Sequence, residues 1–285
     1  MTASPALFES LLMALLLSST AIAGDGAPQG WTPLQGAPSE MELRCANYSS
    51  DEWQVTLSSD QVVIAKAPPF PHIDPLPFAV PPDRARAGRR YVQKVSDGWL
   101  VGFDAGEFGG GLWWFAKDGN QSLRISPPAD APAKPEDPFR AENVRGFAEQ
   151  DDQVIVLMGL DHLGGRSGRL FRVVKGRDGW ALVPLALLDS SPKAWIVAGQ
   201  KLLVVTDGGL WSVTPGGSVA AIRTIDLVGL YPNSMVADST GRLYVGMRRF
   251  VLTLTESPEG WTPTWFVRTD CLRAVVKNFS CDCQQ

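Results

Sequence analysis

Histidine, long hydrophobic runs and basic clusters are all scarce in this 285-residue chain. With 2 histidines, it cannot build a metal site on several imidazole ligands. Lysine and arginine number 26 against 30 acidic residues, for a formal net charge of −4, so we expect no binding to nucleic acid. Beyond the N-terminus no stretch reaches the ~18 uncharged apolar residues of a membrane span, so we expect no membrane insertion of the mature chain.

The N-terminus has the pattern of an export signal. Leu11–Ala23 is an uncharged apolar run that ends in Ala-Ile-Ala, a small-x-small cleavage site. One feature departs from the usual pattern, because the preceding residues contain Glu9 and no Lys or Arg. The sequence predicts a signal peptide at 1–23, an N-terminal tail at 24–40 and a single domain at 41–285, in a secreted or periplasmic protein.

Four cysteines in an exported chain predict two disulfides. They are Cys45 near the mature start, and Cys271, Cys281 and Cys283 near the end. A bond within the last pair would be strained, and its spacing is too tight for a zinc knuckle. Three pairings remain open, and we expect Cys45 to bond to one of the other three, joining the two ends of the chain.

Four units of about 40 residues recur along the chain. The second strand of each is apolar almost throughout: Trp99–Phe103, Val154–Leu157, Leu202–Val205 and Leu243–Val245. A first strand precedes it at Tyr91–Val95, Val144–Ala148, Ala194–Ala198 and Ser234–Ala237. A third follows at Gly111–Phe115, Arg169–Val173, Gly209–Val213 and Phe250–Leu254, and a fourth at Leu123–Ser126, Trp180–Leu185, Val219–Thr224 and Thr264–Arg268.

Four-stranded antiparallel units of this length predict the blades of an all-β propeller. Apolar second strands fit sheets that are covered on both faces. A fifth blade is predicted from Met41–Ala46, Trp53–Leu57 and Val62–Ala65, completed by the C-terminal strand Leu272–Val276. That pairing would close a ring of about five blades, with proline-rich inter-blade segments at 68–82 and 127–138. The alternative is a β-sandwich, which also uses short strands and turns.

One blade resembles a known signature. Pro232, Asn233, Asp238, Gly241 and the run Leu243–Val245 are similar to the blade motif of NHL and gluconolactonase-like propellers. The resemblance covers about fifteen residues and implies the propeller fold. In the gluconolactonase-like enzymes an Asn of this segment and an Asp beyond the next strand help to hold a metal. Asn233 matches the first, whereas Met247, Arg248 and Arg249 stand where the Asp is expected.

The candidate functional residues follow the second strands of successive units. Equivalent loops of a propeller open on one face, so we expect these side chains to surround one rim: Asp104, Glu107, Asp161, His162, Arg166, Asp207, Arg248 and Arg249. Long loops at 104–110 and 159–168 carry most of them. Ordinary solvated surface is the competing interpretation.

The function predicted from this pattern is recognition of a protein or a glycan on the rim, by a monomer without a cofactor. The alternative is a metal-dependent hydrolase or lactonase, or a glycosidase, in which Asp104, Glu107 and Asp161 form one carboxylate group. Such a group would suit Ca²⁺ or general acid–base chemistry. A purely structural part of the envelope is a third interpretation.

Overall fold

The N-terminal part of the chain joins two different sheets through a short helix. The computed structural model describes residues 20–21, 27–68, 72–81, 83, 86–132, 142–162, 165–177, 179–272, 274–277 and 280–283. Its first elements are β1 (Thr20–Ala21), β2 (Trp31–Pro33), α1 (Glu40–Tyr48), β3 (Trp53–Ser58) and β4 (Gln61–Lys66). β3 and β4 form a hairpin, and β1 pairs with the other edge of β4. Ser59 and Asp60 between them have φ values of 48° and 64°, as two-residue hairpin turns require.

Four antiparallel four-stranded sheets follow in chain order. The first is β5 (Arg89–Val95), β6 (Gly98–Asp104), β7 (Gly110–Ala116) and β8 (Ser122–Ile125). The second is β9 (Val144–Gln150), β10 (Gln153–His162), β11 (Gly165–Gly176) and β12 (Gly179–Leu187). The third is β13 (Ala194–Ala198), β14 (Lys201–Thr206), β15 (Gly209–Val213) and β16 (Val219–Thr224). The fourth is β17 (Ser234–Ala237), β18 (Leu243–Gly246), β19 (Phe250–Ser257) and β20 (Gly260–Arg268).

The two ends of the chain meet around the fourth sheet. β2 pairs with β20 and adds a fifth strand to that sheet. After β20, the chain forms β21 (Ala274–Lys277) and β22 (Ser280–Cys283), which pair with each other. Helix α1 lies against both of these strands. N-terminal and C-terminal segments are therefore neighbours, as the sequence predicted.

Apolar clusters lie between consecutive sheets and hold them face to face. Leu112 of the first sheet and Val156 of the second belong to one cluster, and Leu170 and Val204 join the second sheet to the third. The third and fourth sheets share a further cluster, and Trp31, Trp53, Val55, Ile64, Tyr244, Val251 and Phe266 join the fourth sheet to the β3–β4 hairpin. Every second strand is thus covered on both faces, which explains its apolar sequence.

The remaining face of the first sheet is covered by part of the proline-rich segment 68–82. Leu76, Phe78 and Val80 pack on the cluster that contains Phe103 and Phe115. Ile73 forms a parallel bridge with Arg90 of β5. This segment is therefore packed against the first sheet and is more than a spacer between units.

Two strands predicted for a fifth blade are wrong. Met41–Ala46 lies in helix α1, because Ser39 and Glu42 form a reciprocal capping box at its start. Leu272–Val276 does not join β3 and β4, since β21 pairs with β22. In the described chain, the fifth sheet consists of β1, β4 and β3.

The architecture is all-β and propeller-like, with three four-stranded sheets, one five-stranded sheet and two smaller ones among the described residues. Two facing layers, as in a β-sandwich, do not describe this order of stacked sheets. No helix within the described ranges has the length and apolarity to cross a membrane.

Candidate functional site

A central cavity of about 550 Å³ lies where the first strands of the sheets approach one another. Each of five strands, β3, β5, β9, β13 and β17, contributes to its wall. One residue from each, in that order, is Gln54, Tyr91, Arg145, Trp195 and Met235. The cavity is therefore formed by the assembly of sheets and by no single one of them.

Asp104 fixes an arginine at the edge of this cavity. It ends β6 and is buried. Its carboxylate accepts from the Gly106 amide at 2.9 Å and from Asn143 Nδ2 at 3.0 Å, and it forms a short ion pair with Arg145. Arg145 belongs to the next sheet and lines the cavity. Asp104 thus positions Arg145, and the lining itself is cationic at this point.

A second cluster consists of Asp161, Lys193 and Asp207. Lys193 Nζ lies 2.8 Å from Asp161 Oδ2 and 3.5 Å from Asp207 Oδ2. The Ser191 amide also donates to Asp161 Oδ1 at 3.0 Å. Burial raises the pKa of Asp207 to about 6, with Lys193 opposing this shift and the charge of Asp161 adding to it. Two carboxylates on adjacent sheets thus share one lysine, which lines the cavity.

Glu107 and His162 form a third contact between neighbouring sheets. Glu107 Oε2 lies 2.5 Å from His162 Nε2, and both side chains are at least one-third exposed. Arg166 is exposed and stands opposite Asp161 in the β10–β11 pairing. None of these three residues lines the central cavity.

The predicted long loop at 159–168 is wrong. β10 continues to His162 and β11 begins at Gly165, so most of this stretch is a paired hairpin. Gly159 and Gly168 suggested a loop in the sequence, but the structure requires glycine at both positions for a different reason. A Cβ at Gly159 would lie 2.2 Å from the Ser167 carbonyl oxygen, and one at Gly168 would lie 2.0 Å from that of Ser190. The glycines allow backbones to approach closely.

The two arginines at 248–249 have different environments. Arg248 Nε donates to Glu52 Oε1 at 2.7 Å, and its guanidinium lies 3.7 Å from the Tyr231 ring centroid. Arg249 is 3% exposed and donates to the Cys271 carbonyl oxygen at 2.9 Å. Burial lowers the pKa of Arg249. It borders a separate cavity of about 290 Å³ with Asp51 and Asp270, so it lies away from the central cavity.

The structure does not bring Asp104, Glu107 and Asp161 into one carboxylate group. Each has its own cationic or histidine partner. Across the part of the chain that the structure describes, no three or more His, Cys, Asp or Glu side chains are placed to hold a metal ion. These separate contacts give no support to a calcium site built on the three residues together.

The residues of the NHL-like blade motif lie in two places, the turn before β18 and the central cavity. Burial alone would raise the pKa of Asp238, but hydrogen bonds from Thr240 and Arg242 outweigh it and lower that pKa. Asp238 Oδ1 accepts from both of their amides, at 2.9 and 3.1 Å, so it stabilises the turn before β18. Asn233 lines the central cavity, and its Nδ2 is buried without a hydrogen-bond partner.

Sequence reasoning missed the basic and aromatic residues that line the cavity. Arg89 is the first residue of β5, Arg145 is the second residue of β9, and Lys193 directly precedes β13. The signal was a charged residue at the start of successive first strands. It becomes visible only when those strands, which are short and partly polar, are aligned with one another.

Two of the four cysteines have side chains in the described part of the chain. Cys45 and Cys271 are both buried. The side chains of Cys281 and Cys283 lie outside the described residues. The pairing therefore stays a prediction.

Comparison with known proteins gives this chain no family. No family model and no curated protein matches it. It is similar to the extracellular domain of a one-component system from B. thetaiotaomicron, at 10% identity and a TM-score of 0.41 over 79% of this chain and 32% of that one. It is also similar to a streptogramin B lyase, at 14% identity and a TM-score of 0.33 over 64% and 66% of the two chains. The chain thus spans about a third of the length of that extracellular domain.

Proposed function

We propose that this chain is an exported binding protein that holds a short glycan or a similar small polar ligand in its central cavity. The observation that carries the proposal is the cavity of about 550 Å³, lined by side chains from five sheets. Its volume falls within the range of roughly 300–1,000 Å³ that is typical of small-molecule sites. Its wall combines amide, aromatic and charged side chains, which is also typical of such sites.

A five-bladed ring is the second part of the proposal. The β3–β4 hairpin lies beside the fourth sheet, where the Trp53 amide donates to the Met247 carbonyl oxygen at 3.1 Å and the Arg249 amide donates to the Asp51 carbonyl oxygen at 2.8 Å. The segment after β4 then reaches the first sheet, since the Arg90 amide donates to the His72 carbonyl oxygen at 2.9 Å. The N-terminal hairpin thus lies between the last and first repeats and acts as the fifth blade.

Export and disulfide closure complete the proposal. Residues 1–23 would be removed as a signal peptide, and with them β1, whose pairing with β4 is then absent from the mature protein. Cys45 would bond to a cysteine near the C-terminus, because α1 lies against β22. We keep a monomer as the expected state.

Binding is favoured over hydrolysis by the position of the carboxylates. Asp161 and Asp207 lie behind Lys193 and do not line the cavity. A general acid must come within hydrogen-bond reach of the substrate. These two carboxylates are better placed to orient the lysine.

The test is binding to a panel of neutral and charged mono- and disaccharides, measured by calorimetry on the purified mature protein. We expect at least one to bind, and we expect Gln54→Ala to weaken that binding by about tenfold, the equivalent of one lost hydrogen bond. Gln61→Ala is the matched control, since Gln61 is an exposed glutamine in the same hairpin and does not line the cavity. Equal loss in both variants, or no binding by any member of the panel, would contradict the proposal.

A further inference from the structure

We propose that the ligand of the central cavity is an acidic sugar, held through its carboxylate by the guanidinium groups of Arg89 and Arg145. This inference rests on the proposed function and specifies the class of ligand. It follows from three properties of the wall: its charge, the way in which its cations are held, and the groups that surround them.

The cavity wall carries an excess of positive charge. Arg89, Arg145 and Lys193 line it, and among the described residues Glu52 is the one carboxylate in the lining. Glu52 is bound by Arg248, at 2.7 Å. His72 also lines the cavity, and its Nε2 lies 2.7 Å from Asp74. Asp104, Asp161 and Asp207 offset the charges of Arg145 and Lys193 from behind the wall. An anionic ligand is therefore favoured by Arg89, the cation of the wall that faces no described carboxylate.

Two of the cations are held in place before any ligand arrives. Arg145 contacts Asp104 through Nη1 and the Pro192 carbonyl oxygen through Nε, at 3.4 Å for the latter. Its Nη2 group makes no described hydrogen bond and is left for a ligand. Lys193 is fixed between Asp161 and Asp207. Such preorganisation lowers the entropy cost of binding, because these long side chains are already immobilised.

Arg89 is the cation without a described partner. It is exposed at the start of β5 and lines the same cavity. Its backbone stands opposite Asp104 in the β5–β6 pairing, but that carboxylate is bound to Arg145. A guanidinium presents a planar fork of donors that matches a carboxylate in a bidentate pair. Arg89 therefore supplies the group that a carboxylate ligand can neutralise.

The rest of the wall suits a ring that bears hydroxyl groups. Trp195 Nε1 donates to the Phe147 carbonyl oxygen at 3.0 Å, which fixes the indole beside the cavity. Tyr91 stacks on His72 at 5.2 Å between ring centroids. Gln54 and Asn233 add amide groups, and Asn233 Nδ2 is a buried donor without a partner. Aromatic faces and convergent amides are the usual lining of a polar small-molecule site.

Calorimetry with matched sugar pairs tests the inference. We expect glucuronate or galacturonate to bind at least tenfold more tightly than glucose or galactose. Glucose 6-phosphate is the third arm, and tighter binding of the phosphate than of the uronates would overturn the carboxylate assignment. Equal affinity for the acidic and neutral members would overturn the inference while leaving the proposed function intact. No binding by any sugar would overturn both.

A variant pair locates the carboxylate. Arg89→Gln should reduce uronate affinity at least tenfold, and it should reduce the affinity for the matched neutral sugar by much less. Arg89 is exposed, so the substitution is compatible with folding. Arg177→Gln is the control. Arg177 is also exposed, and it lies in the β11–β12 turn, at the end of its sheet that is opposite to the cavity. If Arg89→Gln binds uronates as the unchanged protein does, Arg89 does not hold the carboxylate and the proposal fails.

Discussion

Asp207 is charged at neutral pH against the preference of its surroundings. Burial raises its pKa to about 6 from an ordinary value of 3.8. The groups that face it are Lys193 and Asp161, and Asp189 lies beside the adjoining Gly208. Because the folded state binds this proton more tightly than the unfolded state does, Asp207 contributes stability below pH 4 that is lost as the pH rises through 6.

Asp207→Asn should therefore stabilise the protein at pH 7.5, by on the order of 1 kcal/mol, and should have a smaller effect at pH 4.5. Thermal unfolding of both proteins at the two pH values measures this difference. Asp270→Asn provides a control of opposite sign, since Arg268 lowers the pKa of Asp270 and the ionised form is the favourable one. A stabilisation by Asp207→Asn that is the same at both pH values would contradict the assignment.

The acidic rim residues could be predicted individually, whereas their partners could not. Asp104 is the last residue of β6, Asp161 the second-last of β10, and Asp207 directly follows β14. The repeat alone therefore places them at one end of the sheets. The repeat does not say that Arg145 and Lys193, in the following units, lie within ion-pair distance. Such contacts depend on how far each sheet is rotated against the next, which the pattern within one sheet does not encode.

At the scale of elements, the four repeated sheets follow from apolar second strands and turn residues. The exceptions are segments where a local signal competes with the pattern. At residues 41–46 alternating apolar residues favoured a strand, but Ser39 and Glu42 cap a helix there. The capping box satisfies free backbone amides at the first turn, and it was readable from the sequence. The β21–β22 pairing was not, because nothing in those residues distinguishes one partner strand from another.

The contact between β9 and β13 gives an element-scale prediction. A Cβ at Gly146 would lie 2.3 Å from a ring carbon of Trp195, and Gly146 has a φ of 152°. Gly146→Ala should therefore lower the free energy of unfolding by about 2–3 kcal/mol through overpacking and backbone strain. Chemical denaturation measures the change.

Gly176→Ala in β11 of the same sheet is the control for that substitution. Its Cβ would meet nothing closer than 3.7 Å, and its φ is not positive. We expect a change within about 0.5 kcal/mol, as for ordinary surface substitutions. If the two variants are equally stable, the close packing of Trp195 on Gly146 is not formed in solution.

At the scale of the molecule, the ends of the chain are predicted to be covalently joined. Tryptic digestion without reduction should yield peptide 45–66 linked to a C-terminal peptide, either 269–273 or 278–285. Mass spectrometry before and after reduction identifies the link. The same digest should begin at Gly24 if the signal peptide is removed.

Two results of the digest would contradict this arrangement. One is a peptide 45–66 that carries a free thiol, and the other is a bond between Cys281 and Cys283 alone. Reduction of the intact protein is the accompanying measurement, and we expect it to lower the free energy of unfolding by roughly 2–4 kcal/mol, since long loops are closed by the bond.

Five sheets each contribute residues to the wall of the cavity. Binding of a ligand is therefore coupled to the assembly of all five sheets. A bound ligand stabilises only those states of the chain in which all the walls are assembled. Separation of any one sheet from its neighbours must first release the ligand. Slower amide exchange should therefore spread through all the sheets on saturation, including strands that lie far from the ligand along the chain.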